Sequence, residues 1–135
     1  GGAVATSAPV AALLRQKART FVYSTSSTPA TCAAVSAAIG VLEGEGSPVP
    51  ALHRNIRRLA GHLGMGDWAS PIIPVPIGDG AKAVNASATL REAGYFVPAI
   101  RWPTVPRGAA MLRVTVMATH TFEQIDGLAD VISRL

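Results

Sequence analysis

The stretch Ile72-Ile-Pro-Val-Pro-Ile-Gly-Asp79 carries the signature of a sheet edge. Its apolar residues are mostly β-branched, and its two prolines, Pro74 and Pro76, are spaced by two. Both missing N–H groups therefore fall on the same edge of an extended strand. Asp79 is placed to cap a helix over residues 81–93, which Gly94 closes. Residues 95–100 read as a second strand. Residues 111–118 read as a third, with Leu112, Val114 and Val116 on one face and Arg113 and Thr115 on the other. Thr121 and Gln124 form a capping box for a last helix whose apolar stripe is Ile125, Leu128, Ile132 and Leu135. The order strand, helix, strand, strand, helix gives the expected fold class: α+β, a small antiparallel sheet with helices packed on one side.

Working back toward the N-terminus, Leu52, Ile56, Leu59 and Leu63 recur at helical spacing before the stop Gly64-Met-Gly66. The run Glu43-Gly-Glu-Gly-Ser-Pro48 reads as a surface linker, and the alanine-rich residues 30–42 as a helix that buries the small Cys32. Thr20-Phe-Val-Tyr23 is β-branched and aromatic and reads as a short strand emptying into the hydroxyl run Ser24-Thr-Ser-Ser-Thr28. Ser7 and Pro9 open an earlier helix, with Val10, Leu13, Leu14 and Ala18 on one face. Residues 1–5 read as the end of a glycine-rich loop entering a short strand.

Composition narrows the function. The 135 residues, 49% of them hydrophobic, suffice for one core and fall short of two ordinary domains. Prolines, glycines and arginines interrupt every apolar stretch before the roughly 18 residues a membrane span needs, and no leader pattern opens the chain, so a soluble, cytoplasmic protein without a membrane partner is expected. One cysteine cannot form an internal disulfide. The net charge of +4, with His53, Arg54, Arg57, Arg58 and His62 close in sequence, raises nucleic acid as a partner. Aromatics at 5% and charged residues at 15%, with no stacking residues between the arginines, point instead to a solvated helix face. His53 and His62 are too far apart for a metal pair and have no cysteine or paired carboxylate, so no metal is expected. There is no nucleophile elbow, and Gly78-Asp-Gly80 lacks the frame of a phosphate loop. Two segments retain chemical interest. The hydroxyls of residues 24–26 can donate to a phosphate or merely close a turn. The proline-stiffened loop Ala99-Ile-Arg-Trp-Pro-Thr-Val-Pro-Arg-Gly108, with Leu112-Arg-Val-Thr115 beside it, offers Arg101 and Arg113 for a carboxylate.

Several of these segments together resemble the α-oxoamine synthases, a family of pyridoxal-phosphate enzymes. The segments are Gly1-Gly-Ala-Val4, Ala18-Arg-Thr-Phe-Val-Tyr-Ser-Thr-Ser26, Ser70-Pro-Ile-Ile-Pro-Val75, Phe96-Val-Pro-Ala-Ile-Arg-Trp-Pro-Thr-Val-Pro106, Leu112-Arg-Val-Thr115 and Thr119-His120-Thr121, in the family's order and at its spacing. The resemblance implies a type I fold, a homodimer, and condensation of an amino acid with an acyl thioester with loss of carbon dioxide. It implies that Thr25, with Ser24 and Ser26, reaches the cofactor phosphate of the neighbouring subunit. It further implies that Arg113 anchors the amino-acid carboxylate and that Thr104 and Arg101 line the acyl side. An arginine at 101 suits a dicarboxylic acyl group such as pimeloyl and favours the biotin-pathway branch; the glycine C-acetyltransferase and 5-aminolevulinate synthase branches are the alternatives. The chain departs from the family pattern at Thr28, Trp102 and Met111.

The chemistry also needs a lysine amine to carry pyridoxal phosphate, and the two lysines, Lys17 and Lys82, lie inside helical patterns at positions that do not match the family's. The resemblance therefore implies the C-terminal portion of a longer enzyme, with no catalytic residue of its own, inactive alone. On this reading residues 1–28 pack on an absent large domain, 29–135 form the small domain, and the bared apolar face of the first helix leads to self-association or a displaced arm. The rival readings are a stand-alone binding domain of the same fold, recognising a carboxylate or a full-length partner, and a basic nucleic-acid module.

Overall fold

The N-terminal stretch is helical. In the computed structural model, which describes residues 4–135, α1 (Ala8–Lys17), α2 (Arg19–Val22) and α3 (Pro29–Glu43) follow one another. The chain divides into two compact units, Gly1–Val41 and Leu42–Leu135, whereas the boundary expected from the sequence lies after Thr28. The expected strand at 20–23 is instead the helical turn α2. Val22 donates its N–H to the Ala18 carbonyl at 2.9 Å and Tyr23 to that of Arg19 at 3.0 Å. β propensity describes how well a side chain packs on neighbouring strands, and with no strand beside it the backbone closes its hydrogen bonds locally. The expected strand at 1–5 falls partly outside the described residues, and residues 4 and 5 lie in no regular element. No residue of α1, α2 or α3 is buried. Cys32 is exposed, contrary to expectation, because α3 has no buried face for it to join.

The second unit holds α4 (Val49–His62), β1 (Ile72–Gly78), α5 (Gly80–Glu92), β2 (Ala99–Ile100), β3 (Ala110–Thr115) and α6 (Phe122–Ile132). The sheet is antiparallel with order β1-β3-β2, so β1 is an edge, as its prolines require. Pro74 pairs with Arg113 and Val75 with Leu112, and the register shifts between Pro76 and Gly78, where Gly78 takes a positive φ of 85°. Ile73, Leu112 and Val114 are buried on one face together with Leu90 of α5, Ile56 and Leu59 of α4, and Ile125, Leu128 and Ile132 of α6. Leu135 stays exposed beyond the end of the last stripe. The strand expected at 95–100 is reduced to Ala99–Ile100 because Tyr95 spends its N–H on the Leu90 carbonyl, 2.8 Å away, closing α5 around Gly94. Pro98 contributes only its carbonyl, which accepts from the Arg113 N–H at 3.0 Å.

Caps set the ends of the site-bearing helices. The Asp79 side chain accepts from the Lys82 N–H at 2.8 Å and starts α5 directly after β1. Both halves of the Thr121/Gln124 capping box are present at the start of α6.

Candidate functional site

Alternation along β3 sends Leu112 and Val114 into the core and Arg113 and Thr115 to the exposed face. By register, that open face also carries Pro74 and Pro76 of β1, Ile100 of β2 and Met111. Arg113 thus stands on a largely apolar surface, with Pro74 opposite it on one side and the carbonyl of Pro98 bonded to its N–H on the other. β3 is the central strand, paired on both sides, so the guanidinium is presented from a fixed base.

Arg101 and Thr104 belong to the loop joining β2 to β3. The Thr104 N–H donates to the Arg101 carbonyl at 2.9 Å, and Ala109 donates to Pro106 at 3.1 Å, so the loop is folded on itself. The Trp102–Pro103 peptide bond is cis. Gly80 accommodates Arg101: a Cβ there would lie 3.7 Å from the arginine's Cβ and 3.9 Å from its Cδ, so the aliphatic stem runs along the start of α5. Arg101 lines an open cavity of about 730 Å³ with Gly78, Asp79, Trp102 and Arg107. Thr104 and Arg113 do not line it.

Ser24, Thr25 and Ser26 follow α2 in the first unit and are exposed. The Ser24 hydroxyl donates to the Phe21 carbonyl at 3.2 Å. A second cavity of the second unit, about 590 Å³, is lined by Tyr95, Phe96, Met117, His120 and Leu128 among others. Neither Lys17 nor Lys82 lines either cavity, and no cluster of three metal-ligating side chains occurs among the described residues.

Sequence reasoning passed over two groups. Arg107 lies over the Trp102 ring, 5.1 Å from its centroid, a contact made by loop folding that spacing does not reveal. Asn55 is buried and its Nδ2 donates to the carbonyls of Met117 and His120, each at 2.9 Å, pinning the segment between β3 and α6. Its signal was present: it lies three residues after Leu52 and four before Leu59, on the buried face, where a polar side chain implies a partner. In the basic group of α4, Arg58 grips Asp126 with both fork nitrogens at 2.6 Å, and His62 Nε2 lies 2.9 Å from the same carboxylate. The arginine, then the histidine, hold Asp126 down to about 2.

The aminotransferase class I and II family model matches residues 1–132, and the chain belongs to that family. Within it, the chain is similar to 8-amino-7-oxononanoate synthases. It is 46% identical to the biotin biosynthesis bifunctional protein BioWF of Corynebacterium kroppenstedtii, over 100% of this chain and 20% of that protein. It is 40% identical to the 8-amino-7-oxononanoate synthase of Methylobacterium radiotolerans, over 100% of this chain and 36% of that protein. The chain thus spans about a third or less of these relatives. Among solved structures, the 8-amino-7-oxononanoate synthase of Francisella tularensis superposes with a TM-score of 0.75 at 25% identity, over 96% of this chain and 39% of that one. A serine palmitoyltransferase of S. paucimobilis that holds pyridoxal phosphate joined to myriocin superposes at 0.77 and 26% identity, over 93% and 33%. The small antiparallel sheet with its helices on one side is thus a fold shared with type I pyridoxal-phosphate transferases.

Proposed function

We propose that this chain is the part of a pyridoxal-phosphate-dependent 8-amino-7-oxononanoate synthase that holds the amino-acid carboxylate and lines the acyl side of the site. The intact enzyme would condense alanine with a pimeloyl thioester in biotin synthesis. The observation that carries the reading is Arg113, a lone cation on the largely apolar open face of β3, anchored between two prolines. A guanidinium so placed meets a carboxylate with both fork nitrogens and fixes its orientation. Arg101 and Thr104 sit one loop away and take the acyl group.

The described residues fit a partial share of the cofactor site. Ser24, Thr25 and Ser26 offer exposed hydroxyls for a phosphate, contributed across a homodimer to the neighbouring subunit. Pyridoxal phosphate, when bound, withdraws electrons from the amino acid's α-carbon. The lysine that carries it has no counterpart here, since both lysines are exposed on helices and neither lines a cavity. We therefore expect no synthase activity from these 135 residues alone. The single thiol, Cys32, suits the reducing cytoplasm in which we place the enzyme.

The test is turnover by the complete polypeptide from the source cell, read as product mass and carbon dioxide release with L-alanine and a pimeloyl thioester. Turnover of that pair, and none by the chain alone, supports the reading. Turnover only of glycine with an acetyl or succinyl thioester moves it to another branch of the family.

A further inference from the structure

The short length of β2 opens a gap beside β3. Arg113 donates its N–H to the Pro98 carbonyl at 3.0 Å, while Val116 donates in the other direction, to the Pro71 carbonyl ahead of β1, at 2.8 Å. Backbone alternation therefore turns the N–H and C=O of Thr115 to the side of Arg113's bond, away from β1. Continued pairing would set Phe96 opposite Thr115. No bond joins the two, and the N–H and C=O of Thr115 have no hydrogen-bond partner among the described residues. The gap is one residue long. Pro98 closes it at one end, and at the other the Met117 N–H is taken by Nδ1 of His120 at 3.2 Å.

An added polypeptide strand needs a row of free donors and acceptors, which a gap of one residue does not supply. Thr115 instead offers one donor beside one acceptor, on the cavity of about 590 Å³ that it lines with Tyr95, Phe96, Val97, Met117 and Leu128. A volume of this size suits a small ligand, and the walls are mostly apolar. Gly127 of α6 admits the Tyr95 ring, since a Cβ there would collide with its hydroxyl. Phe96 is 78% exposed, leaving its ring open for a ligand to cover. We propose that this cavity binds a small molecule made of an apolar ring and a cis-amide, as in a lactam or a cyclic urea. The Thr115 N–H donates to the ligand carbonyl, and the Thr115 carbonyl accepts from the ligand N–H. Tyr95, Phe96 and Met117 cover the apolar ring. The site is separate from the carboxylate and acyl groups of the synthase reading, for Arg113, Arg101 and Thr104 do not line it.

Recognition by backbone groups can be read from the amide NMR spectrum of the isotope-labelled chain titrated with 4-phenyl-2-pyrrolidinone. The Thr115 amide should shift downfield along a saturable curve, with Kd on the order of 1 mM for so small a probe. The N-methyl derivative keeps the shape and loses the donor, and should bind roughly fivefold or more weakly. The cyclic urea 4-phenyl-2-imidazolidinone should also bind, and the tighter of the two rings names the ligand class. Thr115→Ala keeps the backbone and should hold the affinity within about twofold, whereas Phe96→Ala removes a wall and should lose roughly threefold or more. Both side chains are exposed, so both variants should keep the parent's circular dichroism. An unmoved Thr115 amide, equal affinity for the N-methyl lactam, or no loss in Phe96→Ala overturns the site. Saturation-transfer NMR on the complete polypeptide should show the same preference for the unmethylated lactam. Its absence there would mean that another segment of the intact polypeptide fills the cavity, and would overturn the proposal for the enzyme.

Discussion

At the residue scale, two side chains with opposite burial make opposite predictions. Arg113 is exposed and carries no packing, so Arg113→Ala should change stability by no more than about 0.5 kcal/mol in urea denaturation. In the complete enzyme it should raise KM for the amino acid roughly 10- to 100-fold, the worth of a charge-assisted contact. Asn55→Ala should do the reverse, costing about 1–3 kcal/mol because the buried amide's bonds to the Met117 and His120 carbonyls are lost. Asp126 adds a pH signature. Its pKa lies at about 2 against an ordinary 3.8, so the stability it contributes is complete above 3.8 and fades as pH falls toward 2. Glu123, lowered by its backbone N–H, works in the same direction. The urea midpoint should therefore drop across that window, and Asp126→Asn should flatten the drop in part. Arg113 was legible from the sequence because strand alternation assigns it a face. The Arg107–Trp102 contact was not, because it depends on how the intervening loop folds.

At the scale of elements, what was legible follows from whether a local signal closes on itself. The Thr121/Gln124 box is such a signal, since each side chain satisfies the other's backbone, and α6 begins where it predicts. Thr121→Ala should cost about 1 kcal/mol, measurable as a lowered urea midpoint with an unchanged slope. Asp79 and Gly94 bracket α5 in the same way. The segments at 20–23 and 95–98 have strand-like composition, but a strand requires a partner that composition cannot supply. In the first the backbone turned helical, and in the second the amide of Tyr95 was taken by α5.

At the scale of the whole molecule, the core is drawn entirely from the second unit, from Ile56 to Ile132. A polypeptide of residues 42–135 should therefore melt cooperatively, with a midpoint close to that of the full chain by circular dichroism. The first unit presents Val10, Leu13, Phe21, Val35 and Ile39 exposed. Sedimentation of the full chain should show concentration-dependent association that the shorter polypeptide lacks. Of these exposed residues, the Val10 and Leu13 face of α1 was readable from helical spacing; Phe21 was not, since its segment reads as a strand, and neither were Val35 and Ile39, since alanine-rich composition marks a helix without marking a face.

The two prolines of β1 bear on this association. A sheet recruits a further strand through a row of unsatisfied backbone donors, and Pro74 and Pro76 remove two of them from the free side of β1. The opposite margin is β2, only two residues long. Neither border can template a neighbouring copy, so the copies that meet through their helices should form small, reversible oligomers rather than growing into fibrils.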